Sequence, residues 1–214
     1  MSAVLFDLDG TLLDTAPDMA AALNTLRGER QLPPLSFAAI RPFVSHGATA
    51  MVRLGFPDLP EEPFEVLRQR FLEIYRCCLA EDTRLFEGMP QLLTHFESQG
   101  IPWGIVTNKP TWLTEPLLET LGLDTRAASI VCGDTFEERK PHPRPLLHAA
   151  AQIGVAPQHC LYVGDAERDI VAARAAGMRS LIARFGYIGP HDRIEDWQAD
   201  GCIDGPLEIL QWLE

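Results

Sequence analysis

The stretch Val4-Leu5-Phe6-Asp7-Leu8-Asp9-Gly10-Thr11 is the most informative segment of this chain. Its apolar start predicts a buried strand, and the strand ends directly in two carboxylates that stand one residue apart. Ligands of parallel α/β sheets bind outside the carboxyl ends of the strands, and buried carboxylates are costly unless they are paired or hold a metal. Gly10 allows a backbone conformation that other residues avoid. The segment therefore predicts a chemical site at residues 7–11.

After residue 86 the chain alternates between apolar, strand-like runs and helical patterns that stop at a glycine. The strand-like runs lie at 101–106, 129–132, 160–163 and 180–183. The glycines that stop the helices are Gly100, Gly122, Gly154 and Gly177. Regular alternation of this kind predicts an α/β fold whose parallel sheet is covered by helices.

Residues 15–85 differ from the rest of the chain because every periodic stretch in them is helical. The three expected helical stretches begin near Pro17, Phe37 and Glu61. We therefore predict a helical unit inserted after the first strand, and an α/β core that is made of two segments. The predicted boundaries are 15–85 for the helical unit and 1–14 with 86–214 for the core.

Composition and charge exclude several classes of partner. The formal net charge is −12, which argues against binding to nucleic acid, because phosphates require a basic surface. No apolar run approaches the roughly 18 residues that a membrane span requires.

The five cysteines are odd in number and form no C-x-x-C, and no signal peptide precedes the first strand, so we expect free thiols and a cytoplasmic location. The oligomeric state stays open between a monomer and a homodimer.

Polar residues gather where the predicted strands end. Four segments carry them: Asp7 with Asp9, Thr107-Asn108-Lys109, Lys140-Pro141, and Asp165 with Asp169. Each segment alone could be a helix cap or a solvated charge, but the carboxyl ends of parallel strands meet at one edge of the sheet. The lysines support a shared site, because Lys109 and Lys140 are the only lysines among 18 basic residues. A planar guanidinium does not replace the compact charge of an ammonium group.

This set of residues fits phosphoryl transfer. A carboxylate can attack phosphorus and carry it as an acyl phosphate, so we assign Asp7 as the nucleophile. Asp9 is expected to protonate the leaving alkoxide and then to accept a proton from the attacking water. Thr107 and the backbone amides near Asn108 are expected to hold the transferring oxygens, and Lys140 to neutralise charge between nucleophile and phosphate.

The acidic residues also predict a metal site. Mg²⁺ prefers few carboxylates together with waters and substrate phosphate. Asp165 is expected to bind Mg²⁺ alongside an Asp7 oxygen and the backbone carbonyl of Asp9. Asp169 is expected to orient Lys140 or a metal-bound water.

Three residues of the helical unit are candidates for contact with the organic part of the substrate. Arg41, Ser45 and His46 surround the helix breaks at Pro42 and Gly47. A loop at these breaks could face the site, since binding residues are often carried on loops. A solvated connection between helices is the alternative for each of them.

The four segments resemble the motifs of the haloacid dehalogenase-like hydrolase superfamily. Asp7-Leu8-Asp9-Gly10-Thr11 is similar to its D-x-D-G-T motif, Thr107 to its second motif, Lys140-Pro141 to its third and Gly164-Asp165-x-x-x-Asp169 to its fourth. All four occur in order, so the resemblance spans nearly the whole chain. It implies a Rossmann-like core with an inserted helical cap at 15–85 that closes over the site, excludes water and selects the substrate.

The same residues sort the activities that the resemblance allows. Asp9 argues against carbon–halogen cleavage, because dehalogenases lack the second aspartate. Residues 15–85 contain no lysine, which argues against phosphonatases, because these need a Schiff-base lysine in the cap. A sugar phosphomutase stays possible, since its core motifs are identical. The resemblance favours a Mg²⁺-dependent phosphatase that acts on a small phosphorylated metabolite.

Further segments are similar to the phosphoglycolate phosphatase-like group of this superfamily. They lie at 13–18, 44–48, 103–110, 167–170 and 185–188. Within the group, the chain most resembles the N-acetylmuramic acid 6-phosphate phosphatases of cell-wall recycling. A 2-phosphoglycolate phosphatase is the alternative.

A phosphoacceptor signalling module is the alternative from a different functional class. Receiver domains are shorter, lack a large helical insertion and have no second carboxylate for turnover. The insertion at 15–85 and the presence of Asp9 argue against such a module. A catalytically silent scaffold would be expected to lack some of the reactive residues, and every expected position is filled here.

Overall fold

The computed structural model describes residues 1–58 and 60–213 of the chain. Leu59 and Glu214, which fall in the predicted ranges 15–85 and 86–214, lie outside the described residues. Strands in the described part are β1 (Ala3–Phe6), β2 (Leu13–Asp14), β3 (Arg84–Leu85), β4 (Trp103–Val106), β5 (Ser129–Val131), β6 (Cys160–Gly164), β7 (Arg179–Ala183) and β8 (Gly201–Ile203). The α-helices are α1 (Ala16–Glu29), α2 (Phe37–Ile40), α3 (Gly47–Gly55), α4 (Glu61–Cys77), α5 (Met89–Gln99), α6 (Thr111–Leu121), α7 (Arg144–Ile153) and α8 (Glu167–Ala175). Short 3-10 helices cover Arg41–His46, Pro157–His159, Ile194–Asp196 and Pro206–Trp212.

Six of the strands form one sheet in the order β5-β4-β1-β6-β7-β8, and every neighbouring pair is parallel. The central strand β1 pairs Phe6 with Ile105 of β4 on one side and with Val163 of β6 on the other. Strands β4 and β5 lie on one side of β1. The chain then crosses over, and β6, β7 and β8 lie on the other side. The predicted α/β fold with a parallel, helix-covered sheet is confirmed, and its point of reversal lies at β1.

The central strand β1 is apolar throughout because both of its faces are buried. Val4 and Phe6 belong to a hydrophobic cluster with Leu92 and Phe96 of α5. Ala3 and Leu5 belong to a second cluster, which α7 and α8 cover from the opposite face. Helices on both faces therefore leave the carboxyl edge of the sheet as the open end of β1.

Two features of the sheets were not predicted from the sequence. β8 is a sixth parallel strand at the edge of the sheet, and only Ile203 of its three residues is buried. β2 and β3 form a separate antiparallel pair of two residues each, with Leu13 opposite Leu85 and Asp14 opposite Arg84. Segments this short carry no period that a sequence pattern could reveal.

The helices α1 to α4 lie between β2 and β3, at the positions that the helical patterns predict. Their buried side chains form a third hydrophobic cluster, which includes Leu23, Met51, Phe71 and Tyr75. The buried carboxylate of Asp18 in α1 accepts hydrogen bonds from the backbone of residues 82 and 83, which joins the start of this segment to its end. Assignment of 15–85 to a cap and of 1–14 with 86–214 to a core stays a prediction.

All five cysteines are free thiols, as predicted, but they are not uniformly buried: Cys77 and Cys202 are exposed. Among the described residues, none of the helices has both the length and the apolar character that crossing a bilayer requires.

Candidate active site

A cleft of about 880 Å³ opens at the carboxyl end of β1, where the order of the sheet reverses. Open α/β sheets bind ligands at such a point of reversal, because the loops leaving the two neighbouring strands diverge there. The loops after β1 and β4 and the residues around Lys140 line its floor, and the segment Val44–Thr49 with helix α4 lines the opposite wall. The structure therefore brings Asp7, Asp9, Thr107, Asn108, Lys140, Ser45 and His46 to one cleft.

Lys140 is the centre of a buried polar cluster beneath this cleft. Its side chain is fully buried, and its Nζ atom lies 2.8 Å from Asp7 Oδ1 and 2.7 Å from Asp169 Oδ1. The same ammonium group donates to the Val106 carbonyl and to the Tyr162 hydroxyl, each at 2.8 Å. A buried ammonium group with several oxygen partners is held firmly in position.

Asp7 presents its two carboxylate oxygens differently. Oδ1 accepts a hydrogen bond of 2.7 Å from the Leu8 backbone amide in addition to its ion pair with Lys140. Within the described part of the chain, Oδ2 has no protein donor, although Asp7 lines the cleft. One oxygen is thus fixed, and the other is left for an incoming ligand.

Asp165 and Asp169 extend the acidic cluster on the side of β6. Carboxylate oxygens of Asp7, Asp165 and Asp169 lie within 4.8 Å of one another, and all three residues are buried. Burial and then the charges of Asp7 and Asp169 raise the pKa of Asp165 to about 7, against hydrogen bonds from Ser45 and the Tyr187 amide that lower it. Burial and the charge of Asp7 also raise the pKa of Asp169, and the Lys140 ammonium opposes this shift.

This acidic cluster fits a hard divalent cation. Asp165 Oδ1 is buried and has no hydrogen-bond partner among the described residues, so an oxygen that needs a positive partner faces the cluster. Gly10, with a φ of +85°, makes room for Asp165, because a Cβ atom at residue 10 would lie 2.1 Å from Asp165 Oδ2. Oxygen ligands that are largely carboxylate are those that Mg²⁺ and Ca²⁺ prefer. The three carboxylates could therefore hold such an ion.

Asp9 belongs to a second, separate network at the same cleft. Its Oδ1 atom accepts a 2.7 Å hydrogen bond from the Thr15 hydroxyl and lies 3.0 Å from Lys109 Nζ. Lys109 Nζ also donates to the hydroxyl of Tyr75 in α4 at 2.8 Å. Burial lowers the pKa of Lys109, but the Asp9 carboxylate and the Tyr75 hydroxyl more than offset this effect, so its pKa is raised. Thr15 is the N-cap residue of α1, but its side chain makes no capping hydrogen bond and contacts Asp9 instead.

Thr107 and Asn108 follow β4 directly. Thr107 is buried, lines the cleft, and its hydroxyl accepts a 3.1 Å hydrogen bond from the Lys109 amide. The side-chain amide of Asn108 binds the backbone of Lys140 twice, at 2.9 and 3.0 Å. Asn108 therefore fixes the loop that carries Lys140, and Thr107 is the side chain of this pair that faces the cleft floor.

The three residues predicted to contact the substrate are placed differently from one another. Ser45 and His46 line the cleft, and Ser45 Oγ donates a 2.6 Å hydrogen bond to Asp165 Oδ2. The Arg41 guanidinium instead donates to the carbonyls of Gly186 and Phe185, at 2.8 and 2.9 Å, and is not part of the cleft lining. In this structure Arg41 therefore joins the 3-10 segment Arg41–His46 to the loop after β7.

Four residues at the site received no role from the sequence. Lys109 was noticed for its rarity, but nothing in the sequence paired it with Asp9. Tyr75 falls on an apolar helical stripe, so its hydroxyl was not distinguished from the packing around it. The backbone amide of Tyr187 donates to Asp165 at 2.8 Å, and the guanidinium of Arg168, in helix α8, donates to the Ser45 carbonyl at 2.6 Å. Each of these contacts joins positions that are distant in sequence.

Comparisons with known proteins show which proteins this chain resembles. The family model described as haloacid dehalogenase-like hydrolase matches residues 4–183. The chain is 50% identical over 210 residues to a phosphoglycolate phosphatase of Xanthomonas campestris pv. campestris, which covers 98% of this chain and 95% of that protein. It is 45% identical over 215 residues to an N-acetylmuramic acid 6-phosphate phosphatase of Pseudomonas putida, with 100% and 96% covered. A crystal structure of a predicted phosphoglycolate phosphatase from Haemophilus somnus 129pt matches with a TM-score of 0.88 at 28% identity, covering 100% of this chain and 98% of that one.

Proposed function

The chain belongs to the haloacid dehalogenase-like hydrolase family and is a phosphatase, and we propose that it cleaves phosphomonoesters in two steps through a phosphate carried on Asp7. The observation that carries this proposal is the pair of carboxylates on one cleft, each paired with its own lysine. One carboxylate has a free oxygen beside a fixed cation, which suits a nucleophile. The other is partly exposed and held by a hydroxyl and an ammonium group, which suits proton transfer.

In the first step an oxygen of Asp7 attacks phosphorus, and the bond between phosphorus and the alkoxide oxygen breaks. Asp9, in its protonated form, gives its proton to the leaving oxygen. In the second step Asp9 takes a proton from water, the water oxygen attacks the aspartyl phosphate, and inorganic phosphate leaves as Asp7 is restored. Thr107 and the amides around Asn108 hold the phosphate oxygens, and Lys140 offsets the charge between Asp7 and the phosphate.

We assign the acidic cluster to Mg²⁺, held by Asp7, Asp165 and the backbone carbonyl of Asp9. Bound there, Mg²⁺ supplies positive charge to the phosphate oxygens. Asp169 keeps its ion pair with Lys140 and so aligns that lysine toward Asp7, a supporting role of the kind that ligand partners commonly play.

The test of the two-step chemistry compares Asp7→Asn with Asp9→Asn. Asp7→Asn should lower phosphate release by at least about 10⁴-fold, because residues that act as one catalytic unit show losses of this size. Asp9→Asn should form a phosphoenzyme slowly and retain it, which acid quenching followed by mass spectrometry of the intact protein would detect. Turnover near that of the wild type in the Asp7 variant, with an unchanged melting temperature, would overturn the covalent mechanism.

For the substrate we propose N-acetylmuramic acid 6-phosphate. The Pseudomonas putida relative carries this name, and the cleft of about 880 Å³ offers room for a sugar beyond the phosphate. This substrate also carries a carboxylate. Of the arginines and lysines that line the cleft, Arg139 is the one whose side chain has no hydrogen bond or ion pair within the described residues, so we assign the carboxylate to Arg139.

The second candidate is 2-phosphoglycolate. The 50% identical relative from Xanthomonas campestris is named for that substrate, which is the observation in its favour. It also combines a phosphate with a carboxylate, but it is small and would leave most of the cleft to water.

Three substrates separate these candidates in one assay: N-acetylmuramic acid 6-phosphate, N-acetylglucosamine 6-phosphate, which lacks the lactyl carboxylate, and 2-phosphoglycolate. We expect the first to have the highest kcat/KM, and Arg139→Ala to raise its KM about tenfold, since a hydrogen bond to a charged group contributes about that much. Arg126→Ala is the matched control, because Arg126 is a half-buried arginine that does not line the cleft and pairs with Glu97. Highest kcat/KM for 2-phosphoglycolate would select the second candidate, and phosphate retained on the sugar at a new position would indicate a phosphomutase.

A further inference from the structure

The two carboxylate oxygens of Asp165 have unequal surroundings. Oδ2 accepts two hydrogen bonds, one of 2.6 Å from the Ser45 hydroxyl and one of 2.8 Å from the Tyr187 backbone amide. Oδ1 is buried and has no hydrogen-bond partner in the described part of the chain. The carboxylate is therefore held by one oxygen, and the other is left without a partner in a residue whose carboxylate lies beside those of Asp7 and Asp169.

The hydroxyl that holds Asp165 comes from a distant part of the chain. Ser45 lies in the 3-10 segment Arg41–His46, between helices α2 and α3. Arg41 fixes the start of this segment through the carbonyls of Phe185 and Gly186, and Arg168 fixes its end through the Ser45 carbonyl. Ser45 is thus the contact through which this segment reaches the acidic cluster.

We propose that Ser45 is a positioning residue for Asp165, and that it couples cation binding to docking of the segment Arg41–His46. The hydroxyl fixes Oδ2, so that Oδ1 faces the cation. This inference rests on the proposed function, since it takes Asp165 to be a ligand of Mg²⁺. It goes beyond that function because it gives a residue of the helical insertion a role in metal affinity.

The backbone packs closely against Asp165 at two glycines. A Cβ atom at Gly10 would lie 2.1 Å from Asp165 Oδ2, and a Cβ atom at Gly186 would lie 2.4 Å from Asp165 Cβ. This close packing leaves the carboxylate little room to move. A short hydrogen bond from a hydroxyl to a carboxylate is among the stronger ones, and it acts here on a group that has little freedom of its own.

The Ser45 hydroxyl determines whether docking of the segment and binding of the cation favour or oppose each other. The Ser45 hydroxyl stabilises the ionised carboxylate, which is the form that binds a cation, so docking of the segment and binding of the cation favour each other. Partners that orient a metal ligand typically change metal affinity by about 10–100-fold. By reciprocity, the cation must stabilise the docked segment by the same factor.

The test measures Mg²⁺ binding to the metal-free protein by isothermal titration calorimetry, without substrate. Ser45→Ala should raise the Kd for Mg²⁺ about tenfold, at the low end of the effects seen for such partners. Ser45→Thr, which keeps a hydroxyl, should bind Mg²⁺ with a Kd closer to that of the wild type than to that of Ser45→Ala. Thr49→Ala is the matched control, because Thr49 is an exposed hydroxyl residue that lines the same cleft and makes no hydrogen bond to Asp165.

A second readout follows the segment itself. Mg²⁺ should slow hydrogen exchange of the backbone amides at 41–46 in the wild type, and this protection should be absent in Ser45→Ala. At saturating Mg²⁺, Ser45→Ala should have a substrate KM near that of the wild type. If Ser45 instead contacted the substrate, its replacement would raise KM and leave the Kd for Mg²⁺ unchanged.

The outcomes separate this inference from the function on which it rests. If the wild type binds Mg²⁺, Asp165→Asn does not, and Ser45→Ala binds as tightly as the wild type or more tightly, the positioning role is overturned and the proposed metal site stands. If the wild type binds no Mg²⁺, both are overturned. A weaker Kd in Ser45→Ala, with no change in Thr49→Ala, supports the proposal.

Discussion

Two lysines lie beside the two carboxylates that follow β1, and they differ in what else surrounds them. Lys140 contacts Asp7, Asp169, the Val106 carbonyl and Tyr162, which belong to the six-stranded sheet, to the loop after β1 and to helix α8. Lys109 contacts Asp9 on one side and Tyr75 of helix α4 on the other. The contacts of Lys140 are therefore made without helices α1 to α4, whereas those of Lys109 include the helical insertion.

The two networks also differ in their balance of charge. In the first network Lys140 and the nearby guanidinium of Arg168 face the three carboxylates Asp7, Asp165 and Asp169, so negative charge is in excess. In the second network one lysine faces the single carboxylate of Asp9. Buried like charges raise each other's pKa or require a cation, whereas a balanced pair requires neither.

This difference separates two tasks within one cleft. The ammonium group beside Asp7 is held by partners outside helices α1 to α4, and the segment that carries these helices reaches the first network at Asp165, through the Ser45 hydroxyl. The network around Asp9 depends on where α4 lies, because Tyr75 provides one of the two oxygens that hold Lys109. We therefore assign attack on phosphorus to Asp7, at the end of a strand of the sheet. We assign proton transfer to Asp9, at the contact between the sheet and the helical insertion.

The largest expected effect tests the first network by removing its only lysine. Lys140→Met should lower the free energy of unfolding of the metal-free protein by about 3–5 kcal/mol, because Asp7 and Asp169 stay buried without their ammonium partner. Lys109→Met should lower it by only about 1–2 kcal/mol, since Asp9 is partly exposed and keeps its hydrogen bond from Thr15. Urea unfolding at pH 7.5 measures both.

Adding Mg²⁺ is the control that distinguishes a loss of positive charge from a loss of packing in Lys140→Met and Lys109→Met. It should recover part of the stability lost in Lys140→Met, because it supplies positive charge to the same carboxylates, and none of that lost in Lys109→Met. Equal losses for the two variants, or equal recovery, would contradict the contrast between the networks.

The second prediction uses pH to test the excess of negative charge. In the metal-free protein, burial and the charges of Asp7 and Asp169 raise the pKa of Asp165 from 3.8 to about 7. Between these values the folded protein keeps a proton that the unfolded chain releases, so the free energy of unfolding should fall as pH rises from about 4 to about 7 and then level off. Mg²⁺ replaces that proton, so it should stabilise the protein more at pH 8 than at pH 5.

The measurement is the melting temperature with and without Mg²⁺ at the two pH values. At 100 times its Kd, Mg²⁺ adds about 2.7 kcal/mol, which corresponds to roughly 5–10 °C for a chain of this size. Asp165→Asn removes the titrating group, and it should abolish both the response to Mg²⁺ and most of the fall in stability between pH 4 and pH 7. A response to Mg²⁺ that is the same at both pH values would contradict the assignment.

Much of the first network could be predicted from sequence, because Asp7 and Asp165 directly follow strands of the sheet. The apolar run before Asp7 and the glycine-stopped helices were sufficient to predict the parallel sheet and to bring Lys140 and Asp165 to one edge. β8 and the pair of β2 and β3 were missed, since their few residues have no period. The helical stretches of 15–85 were predicted from their own periodicity and turns.

The second network could not be predicted, because it depends on how a helix packs against the sheet. Tyr75 occupies an apolar position of α4, and only tertiary structure turns its hydroxyl toward Lys109. Ser45 was predicted near the site from the helix breaks around it, but its hydrogen bond to Asp165 joins positions 120 residues apart. Sequence periodicity describes contacts within an element and carries no information about which elements meet.

The smallest expected effect tests the link between the second network and the helical insertion. Tyr75→Phe keeps the ring, which packs against Phe71 and lies 4.6 Å from Lys109 Nζ, and removes only the hydroxyl. Lys109 then loses one of its two oxygen partners, so the free energy of unfolding should fall by about 1 kcal/mol. Because Lys109 would hold Asp9 less firmly, kcat should fall a few-fold for alkyl phosphates, whose leaving group needs a proton, and less for aryl phosphates, whose leaving group does not.

Phe71→Leu removes a ring from the same helix without touching Lys109, and it should lower stability with no such dependence on the leaving group. An equal fall in kcat for both classes of substrate would place the effect of Tyr75 in packing alone, and proton transfer by Asp9 would then be independent of α4.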